Sequence, residues 1–422
     1  NIATDNQIFK CNIKSITSNK VVVGFKYKQN NILFFERYHH WAIERDFMDA
    51  TFNSIYKNLY IFITANKVKR NLLLGVEFPK IIEEYSFKKE YLSEEQNRII
   101  SKALSANDYF LLNGPPGTGK TSIIIKELVK EILSYSDSKI LLLAYTNRAV
   151  DELCEAVTDA VNEVVNNPDI IIDNKELLHF IRIGSELSCN EKYKNNLLSN
   201  VCKTINRRAD IKALLSSKRI YISTVASISS KTDLFKLVNF DKIIIDEASQ
   251  ILEPQIIGIL PKGKGFIMIG DHKQLPAIVL QDPESSLTND KELEQIGLVN
   301  RKNSLFERLY KFCEINKFVH AFDTLTYQGR MHKEIALFPN HSFYNSILKQ
   351  ACDIPNLEAD IKKYLERQVA NLQLNTKTKN TLEDLFTKKR VMFFPSKTEE
   401  KNHFAKSNEY EANLVTKIIE QV

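Results

Sequence analysis

The chain has 422 residues, of which 43% are hydrophobic and 26% charged, and this globular composition suits two or three domains with their own cores. No apolar run approaches the roughly 20 residues that span a bilayer and no signal-peptide pattern opens the chain, so we expect a soluble intracellular protein, cytoplasmic if bacterial and alternatively nuclear if eukaryotic. The six cysteines are scattered without a C-x-x-C pair, which gives no support for a zinc or iron–sulfur site, while the net charge of +6 suits a polyanionic partner.

The first 86 residues predict two small modules. Short β-like runs, "KVVVGFKY" and "NILFFERY", are broken by Asn- and Lys-rich turns, and they predict a β-barrel-like module over residues 1–40. Apolar residues at spacings of four, three, four and three then predict a long helix in a helical stalk over 41–86. We interpret its apolar stripe as a packing face rather than a nucleic-acid stacking platform. The stripe consists of Met48, Phe52, Ile55, Leu59 and Phe62.

Apolar runs then alternate with helical patterns over residues 87–317. Several runs are continuous, which indicates a parallel sheet covered on both faces and therefore an α/β fold. A second unit of the same kind is predicted over 318–422. It begins at "HAFDTLTYQ", is interrupted by a polar segment over 347–389, and resumes with "RVMFFPS" (390–396) and a final helix. The runs of the first unit are "YFLLNG", "KILLLAY", "FIRIG", "RIYISTV", "DKIIIDEA" and "GFIMIGD".

A glycine-rich run, "LLNGPPGTGKTSII" (111–124), lies between the first of these strands and a helical pattern. It contains the spacing G-x-x-x-x-G-K-[ST], in which backbone amides and a helix N-terminus cradle the phosphates of a nucleotide. In this interpretation Lys120 reaches the β- and γ-phosphates and the Thr121 hydroxyl ligates Mg²⁺. A purely structural glycine turn is the alternative. The predicted nucleotide-binding residues are Gly114, Pro115, Pro116, Gly117, Thr118, Gly119, Lys120, Thr121 and Ser122.

Two later strands end in polar loops that a nucleotide-hydrolysing site requires. In "KIIIDEASQ", Asp246 is predicted to hold Mg²⁺ through water and Glu247 to orient or deprotonate the attacking water. A surface Asp-Glu pair at a helix start is the alternative. In "MIGDHKQLPAI", Gln274 is predicted to sense the γ-phosphate, with Asp271 and His272 relaying its presence to a neighbouring domain.

Five segments in this order resemble motifs I, Ia, II, III and IV of superfamily 1B helicases: "GPPGTGKT", "AYTNRAVDEL", "DEASQ", "GDHKQLP" and "QGRMH". The resemblance is dense from residue 92 to about 344, and its closest groups are Upf-like RNA helicases and replication helicase-nucleases. It implies tandem RecA-like domains, the second one incomplete because motifs V and VI are not visible before Val422. On this basis we expect a fragment of a longer motor that binds nucleotide but hydrolyses it poorly, with a nuclease domain upstream of Asn1 if the helicase-nuclease likeness holds.

The same resemblance implies roles for further residues. "LSEEQ" resembles the Q motif, so Gln96 would read the adenine edge. Thr146 and Asn147 of "YTN", and Thr224 and Ser227 of "ISTVAS", would hold the sugar-phosphate backbone of a single strand. Helix capping is an equally good physical reason for both threonines.

Arg330 would be an arginine finger that stabilises the charge developing on the γ-phosphate, with a solvated surface arginine as the alternative. Many relatives carry an aromatic residue before this arginine, whereas this chain has Gly329. Adenine stacking there is therefore not expected, and base selectivity is expected to be loose.

Together these features predict an ATP-dependent helicase or translocase that uses ATP and Mg²⁺ and moves 5′ to 3′ on single-stranded nucleic acid, with DNA favoured over RNA. An Upf-like remodeller of RNA–protein complexes and a non-unwinding ATP-dependent switch are the alternatives. A metabolic P-loop kinase does not explain "GDHKQLP" and "QGRMH".

Overall fold

The computed structural model of the protein describes residues 2–4, 7–25, 28–29, 31–43, 49–170, 174–279, 281–355 and 409–421, together with 362–363, 366 and 391. The chain divides into two compact units between Lys57 and Asn58. Within these described stretches, no helix is both long enough and apolar enough to cross a membrane.

The N-terminal unit contains two small antiparallel sheets. Its elements are β1 (Ile2–Thr4), β2 (Gln7–Phe9), β3 (Cys11–Ile16), β4 (Val21–Phe25), α1 (Ile32–Arg37) and β5 (Ala42–Ile43). One sheet has the order β2-β1-β5 and the other pairs β3 with β4. The closure of these strands into a barrel-like module stays a prediction.

The β-like prediction for the run "NILFFERY" is wrong: residues Ile32–Arg37 form helix α1. The Asn31 side chain caps the helix by accepting a hydrogen bond from the Phe34 amide at 3.1 Å, which favours a helical start. The ring of Phe35 stacks on Trp41 with centroids 5.5 Å apart. Local capping and aromatic packing therefore outweigh the β propensity of the phenylalanines.

The larger unit is built on a parallel sheet of seven strands. Its strands are β6 (Tyr109–Asn113), β7 (Ile140–Ala144), β8 (Ile181–Ile183), β9 (Ile220–Thr224), β10 (Phe240–Ile245), β11 (Gly263–Gly270) and β12 (Phe322–Thr324). Their order across the sheet is β12-β6-β11-β10-β7-β9-β8. Every pairing in this sheet is parallel, which confirms the predicted α/β class. A separate parallel pair joins β13 (Tyr327–Gln328) to β14 (Lys349–Gln350).

Helices precede, separate and follow these strands along the chain. They are α2 (Asp49–Ile63), α3 (Lys67–Leu74), α4 (Glu94–Ser105), α5 (Lys126–Tyr135), α6 (Asn147–Asn166), α7 (Leu198–Val201), α8 (Arg208–Ser217), α9 (Val225–Ser230), α10 (Leu234–Leu237), α11 (Glu253–Ile256), α12 (Lys291–Gln295), α13 (Leu305–Ile315), α14 (Lys333–Phe343) and α15 (Glu409–Gln421). A π-helical turn (Lys120–Ile125) precedes α5. Short 3₁₀ turns lie at Lys175–Leu178, Glu186–Ser188, Glu191–Asn196, Ala248–Gln250, Leu260–Lys262, Glu284–Ser286 and Ala351–Asp353.

Two hydrophobic cores lie on the two faces of the sheet. Alternate residues of β6 enter different cores: Phe110 and Leu112 join one, while Tyr109 and Leu111 join the other. All five residues of β6 are buried. This is why the strand is a continuous apolar run in the sequence rather than an alternating one.

The helix expected from the apolar stripe is confirmed as α2, although Met48 lies outside the described residues. Leu59 and Phe62 pack against one of the cores of the larger unit, as the packing interpretation requires. Phe52, in contrast, is 60% exposed.

The segment "HAFDTLTYQ", expected to start a second unit, contributes β12 to the edge of the first sheet. The Leu111 amide donates to the Ala321 carbonyl at 2.8 Å, and the Leu325 amide donates to the Asn113 carbonyl at 2.9 Å. The first sheet therefore includes residues beyond the predicted boundary at 317, because the edge of β6 opposite β11 pairs with this segment. The division into two RecA-like domains stays a prediction. The strand predicted at 390–396 lies outside the described residues except for residue 391, and the final helix is confirmed as α15.

Candidate functional site

The glycine-rich run forms a loop between β6 and the helical segment that begins at Lys120. Two hydrogen bonds fix its first half. The Gly114 amide donates to the Gly270 carbonyl at 2.8 Å, and the Thr118 hydroxyl donates to the Pro115 carbonyl at 2.7 Å. The loop is therefore held to the end of β11 before it reaches the helix.

The second half of the loop depends on glycine. Gly117 and Gly119 have φ angles of 76° and 77°, a left-handed conformation that costs glycine little and other residues about 1–2 kcal/mol. Pro116 is half-buried and Ser122 is exposed. A strand, a glycine loop and a helix N-terminus in this order form an anion-binding arrangement.

The structure brings the predicted metal and base residues against this loop. The Thr121 hydroxyl donates a hydrogen bond to Asp246 Oδ2 at 2.6 Å. Lys120 Nζ lies 3.6 Å from Glu247 Oε1. The segments that follow strands β6 and β10 thus place one cation, one hydroxyl and two carboxylates together.

Asp246 is only 2% exposed. Burial raises the pKa of its carboxyl, the hydrogen bond from Thr121 lowers it, and the charge of Glu247 raises it again, so that the net direction is upward. A buried carboxylate of this kind gains from a nearby cation. Hydroxyl and carboxylate oxygens are the ligands that Mg²⁺ prefers, so the residues present fit the predicted ion.

Glu247 has an unusual backbone. Its φ angle is 53°, in the left-handed region, which a residue with a side chain rarely adopts without compensation. Its amide donates to Asp246 Oδ1 at 2.9 Å, and the Gln250 side chain donates to Glu247 Oε2 at 3.2 Å. Gln250 therefore positions the predicted base, a role that sequence reasoning did not assign although Gln250 lies in the same "DEASQ" segment.

Asp271 is fully buried and lies at the centre of a polar cluster after β11. Its Oδ2 accepts hydrogen bonds from the Gln274 side chain at 2.9 Å and from the Tyr344 hydroxyl at 2.6 Å. Its amide donates to Ser249 Oγ at 3.2 Å. Sequence reasoning named Asp271 and Gln274 but missed Tyr344.

His272 points into an aromatic environment. Its ring lies 5.4 Å from the ring of Tyr310 and 6.4 Å from that of Phe306. Burial lowers the pKa of its imidazole below the ordinary value of 6.5. The side chain is therefore neutral at pH 7, and its predicted role as a relay stays a prediction.

The turn that carries Arg330 packs directly on the glycine loop. The Gly329 amide donates to the Gly117 carbonyl at 2.9 Å, while the Arg330 side chain itself is exposed. Buried Gln328 holds the turn, since its Oε1 accepts from the Arg330 amide at 3.1 Å and from the Met331 amide at 2.7 Å. Gln328 is a second positioning residue that sequence reasoning missed, although it precedes the "GRMH" it supports.

Gln96 is the third residue of helix α4 and closes a capping box. Its amide donates to Ser93 Oγ at 3.2 Å, and its Oε1 accepts from the Ser93 amide at 2.9 Å. The side-chain carbonyl thus has a structural partner. Recognition of the adenine edge by Gln96 stays a prediction.

Helix α4 also holds the segment that leads to Arg330. Glu95 accepts hydrogen bonds from the Thr326 amide, at 2.9 Å, and from its hydroxyl. Arg98 forms a two-pronged ion pair with Asp323, both distances being 3.1 Å, and Lys102 adds a third bond at 2.9 Å. Burial acts to raise the pKa of Asp323, but the hydrogen bonds from Arg98 and Lys102 hold it below its ordinary value of 3.8.

The residues predicted to bind single-stranded nucleic acid lie at or just after the carboxyl ends of the neighbouring β-strands β7 and β9. Thr146 caps helix α6 by accepting from the Ala149 amide at 3.1 Å, and Thr224 caps α9 by accepting from the Ser227 amide at 3.1 Å. The Thr224 hydroxyl also donates to Ser227 Oγ at 2.9 Å, and Asn147 is exposed. The capping alternative is realised, while contact with a nucleic-acid strand stays a prediction.

Comparisons with known proteins show which families and proteins the chain is similar to. One family model described as an AAA domain matches residues 91–202 and 192–282, and a second with the same description matches 301–422. An uncharacterized ATP-dependent helicase of Methanocaldococcus jannaschii is 26% identical over 73% of this chain and 54% of its own length. The DNA replication ATP-dependent helicase/nuclease DNA2 of Saccharomyces cerevisiae is 30% identical over 78% of this chain and 20% of its own.

Solved structures with a partial likeness include an Arterivirus nonstructural protein 10 helicase with DNA. It has 13% identity and a TM-score of 0.32, and the match covers 61% of this chain and 43% of that one. The UvsW helicase of bacteriophage T4 has 14% identity and a TM-score of 0.30 over 64% of this chain and 85% of its own.

The parallel sheet, the glycine loop and the paired carboxylates define a P-loop fold of the RecA-like kind. The chain belongs to the superfamily 1 helicases, in the group of the Upf-like helicases and the replication helicase-nucleases. It spans about half the length of the archaeal relative and a fifth of the yeast one.

Proposed function

We propose that the protein is an ATP hydrolase that couples the reaction to movement along single-stranded nucleic acid, as a helicase or translocase. The observation that carries the proposal is the convergence of two separate segments, Asp246–Glu247 and the Arg330 turn, on the glycine-rich loop. Thr121 meets Asp246, Lys120 meets Glu247, and the Arg330 turn packs on the glycine loop. A nucleoside triphosphate site needs these parts together.

Each side chain then has a distinct task. Lys120 binds the β- and γ-phosphate oxygens as a fixed positive charge. Glu247, positioned by Gln250, accepts a proton from the attacking water. Arg330 stabilises the negative charge that develops on the transferred phosphoryl group.

Thr121 and Asp246 would hold Mg²⁺, which supplies charge neutralisation at the β- and γ-phosphates when it is bound. The fit rests on the buried carboxylate of Asp246 and on its hydroxyl partner. The remaining loop residues proposed to line the phosphates are Gly114, Pro115, Pro116, Gly117, Thr118, Gly119 and Ser122. The two prolines have no N–H, so the backbone hydrogen bonds to phosphate come from the other residues of the loop.

For the nucleic acid, we propose single-stranded DNA and 5′-to-3′ movement. The DNA assignment is supported by relatives named as DNA replication helicase/nucleases. The direction of movement is supported by the resemblance of the motifs to those of superfamily 1B helicases. A nuclease domain in a longer protein is part of the same proposal. Thr146, Asn147, Thr224 and Ser227 are the proposed contacts to the strand backbone, since they lie at the carboxyl ends of parallel strands where ligands bind.

The test is steady-state ATP hydrolysis by the full-length protein with Mg²⁺, measured alone and with single-stranded DNA or RNA oligomers. We expect stimulation by DNA. Glu247→Gln should lower kcat by about 10²–10⁴-fold with unchanged nucleotide affinity, because only the base is lost. Glu186→Gln changes an exposed carboxylate in the 3₁₀ turn after the edge strand β8; it is the matched control and should behave as wild type.

Lys120→Ala should instead weaken nucleotide binding itself, which equilibrium titration with a fluorescent ATP analogue measures. An unchanged dissociation constant would contradict the role of Lys120. Stimulation by RNA but not by DNA would favour the remodeller of RNA–protein complexes. A hydrolysis rate that neither DNA nor RNA changes would favour the non-unwinding switch. It would also refute the nucleic-acid-binding roles of Thr146, Asn147, Thr224 and Ser227.

A further inference from the structure

Helix α14 is fixed at both of its ends to loops of the proposed ATP site. Its N-terminal side follows the Arg330 turn, where the Gly329 amide bonds to the Gly117 carbonyl at 2.9 Å. Its C-terminal side ends at Tyr344, whose hydroxyl bonds to Asp271 at 2.6 Å. A helix of this length spans about 16 Å, so α14 connects the phosphate loop to the predicted sensor loop.

The chain around Tyr344 is shaped to keep its hydroxyl in place. Asn345 and Ser346 have φ angles of 49° and 60°, which turn the chain sharply after the helix. Asn340 locks this turn, since its side chain accepts from the Leu348 amide at 2.9 Å and donates to the Leu348 carbonyl at 3.0 Å. Strained backbone with such dedicated support is typical of functional positions.

The hydroxyl of Tyr344 shares its acceptor with Gln274. Both side chains donate to Oδ2 of the fully buried Asp271, at 2.6 and 2.9 Å. Burial and the hydrogen bond to Asp271 raise the pKa of Tyr344, so its hydroxyl stays protonated and remains a donor. Hydrogen bonds to a carboxylate in a buried site are strong, and removing one changes how the other donor is held.

We propose that Tyr344 is a positioning residue that acts through Asp271 on Gln274 and links nucleotide sensing to helix α14 and the Arg330 turn. The inference deepens the proposed ATP hydrolysis and rests on it. A change in the position of Gln274 on nucleotide binding is transmitted through the shared carboxylate to the end of α14. The helix carries the change to the turn that supplies Arg330.

Tyr344→Phe removes the hydroxyl and keeps the buried ring. We expect about a tenfold lower kcat for ATP hydrolysis in the presence of single-stranded DNA, with KM for ATP and nucleotide affinity within twofold of wild type. The matched control is Tyr221→Phe, because Tyr221 also buries a hydroxyl that donates to the protein, to the Leu215 carbonyl. Equal losses of stability and unequal losses of kcat in the two variants would support a positioning role.

A double-mutant cycle separates this role from a merely structural one. If Tyr344 acts through Gln274, Tyr344→Phe should have less than a twofold effect on kcat in the Gln274→Ala background. Additive losses would overturn the inference, as would a Tyr344→Phe enzyme no slower than Tyr221→Phe.

Hydrogen exchange gives a readout that does not need turnover. Saturating imido analogue of ATP should slow exchange in the α14 amides of the wild type, and Tyr344→Phe should abolish this protection while Tyr221→Phe keeps it. Protection that persists in Tyr344→Phe would overturn the inference while leaving ATP hydrolysis intact. A wild type that neither binds nor hydrolyses ATP would refute the proposed function itself, and with it the link.

Discussion

Gly117→Ala tests whether the contact between the glycine loop and the Arg330 turn matters for activity. A Cβ at residue 117 would lie 3.0 Å from the Arg330 amide nitrogen and 3.3 Å from its Cα, and closer still to its Cβ. Ordinary contact begins at 3.4 Å. The neighbour is backbone on a turn, so it cannot rotate away as the end of a flexible side chain would.

Two costs follow, and a matched variant separates them. Ala at a φ of 76° pays about 1–2 kcal/mol for the left-handed conformation. Gly75→Ala pays the same, at a φ of 75°, but meets only the Phe312 ring at 3.2 Å. The additional effect of Gly117→Ala is to displace the Arg330 turn by about 1 Å, and misplacement on that scale costs about 10²-fold in rate.

Urea denaturation and strand-stimulated ATP hydrolysis measure the two costs. We expect both variants to lose similar stability, and Gly117→Ala alone to lose about 10²-fold in kcat, with a smaller loss of nucleotide affinity. Equal kcat values for the two variants would refute the argument. If nucleotide affinity and kcat fall by the same factor in Gly117→Ala, then Gly117 contributes only to phosphate binding and not to the position of the Arg330 turn.

Three further changes test other contacts. Asp323→Asn breaks the ion pair with Arg98 and should lower the free energy of unfolding by about 1–2 kcal/mol at pH 7. The pKa of Asp323 in the folded protein lies below 3.8. In denaturation curves measured over a pH series, the difference in stability from wild type should therefore persist above about pH 4 and shrink below it. Gly258→Ala places a Cβ 2.6 Å from the Asn58 Cα and should destabilise by about 1–3 kcal/mol, which a wild-type denaturation midpoint would contradict. Thr224→Val removes the helix cap and should lose about 1 kcal/mol of stability. It should also weaken the binding of single-stranded DNA, measured by fluorescence anisotropy. Thr224→Ser should keep both the stability and the DNA affinity of the wild type.

The sheet and the phosphate loop could be predicted because their signals are local. β6 and β7 are continuous apolar runs, and the left-handed positions of the loop require glycine at fixed spacing. The helix α1 was missed because phenylalanine-rich runs favour strands in general, and only the cap at Asn31 marks a helix start. The sequence also placed β12 in a second unit, since nothing local shows that it pairs with the edge of β6.

The positioning residues could not be predicted because their partners are distant in the chain. Tyr344 lies 73 residues from Asp271, and Thr326 lies 231 residues from Glu95. No periodicity or spacing encodes such contacts. A buried hydroxyl and a buried carboxylate become informative only when the fold brings them together.

The segment that carries Arg330 is held by three separate attachments. Upstream, Glu95 and Arg98 bind it to helix α4; at the turn, Gly117 receives the Gly329 amide; downstream, Tyr344 binds the sensor loop. Each is a polar bond worth about 1–3 kcal/mol rather than a large apolar interface. Such bonds fix the position of a side chain but exchange readily with alternatives, which is what an arginine that must engage and release the phosphoryl group in every cycle requires.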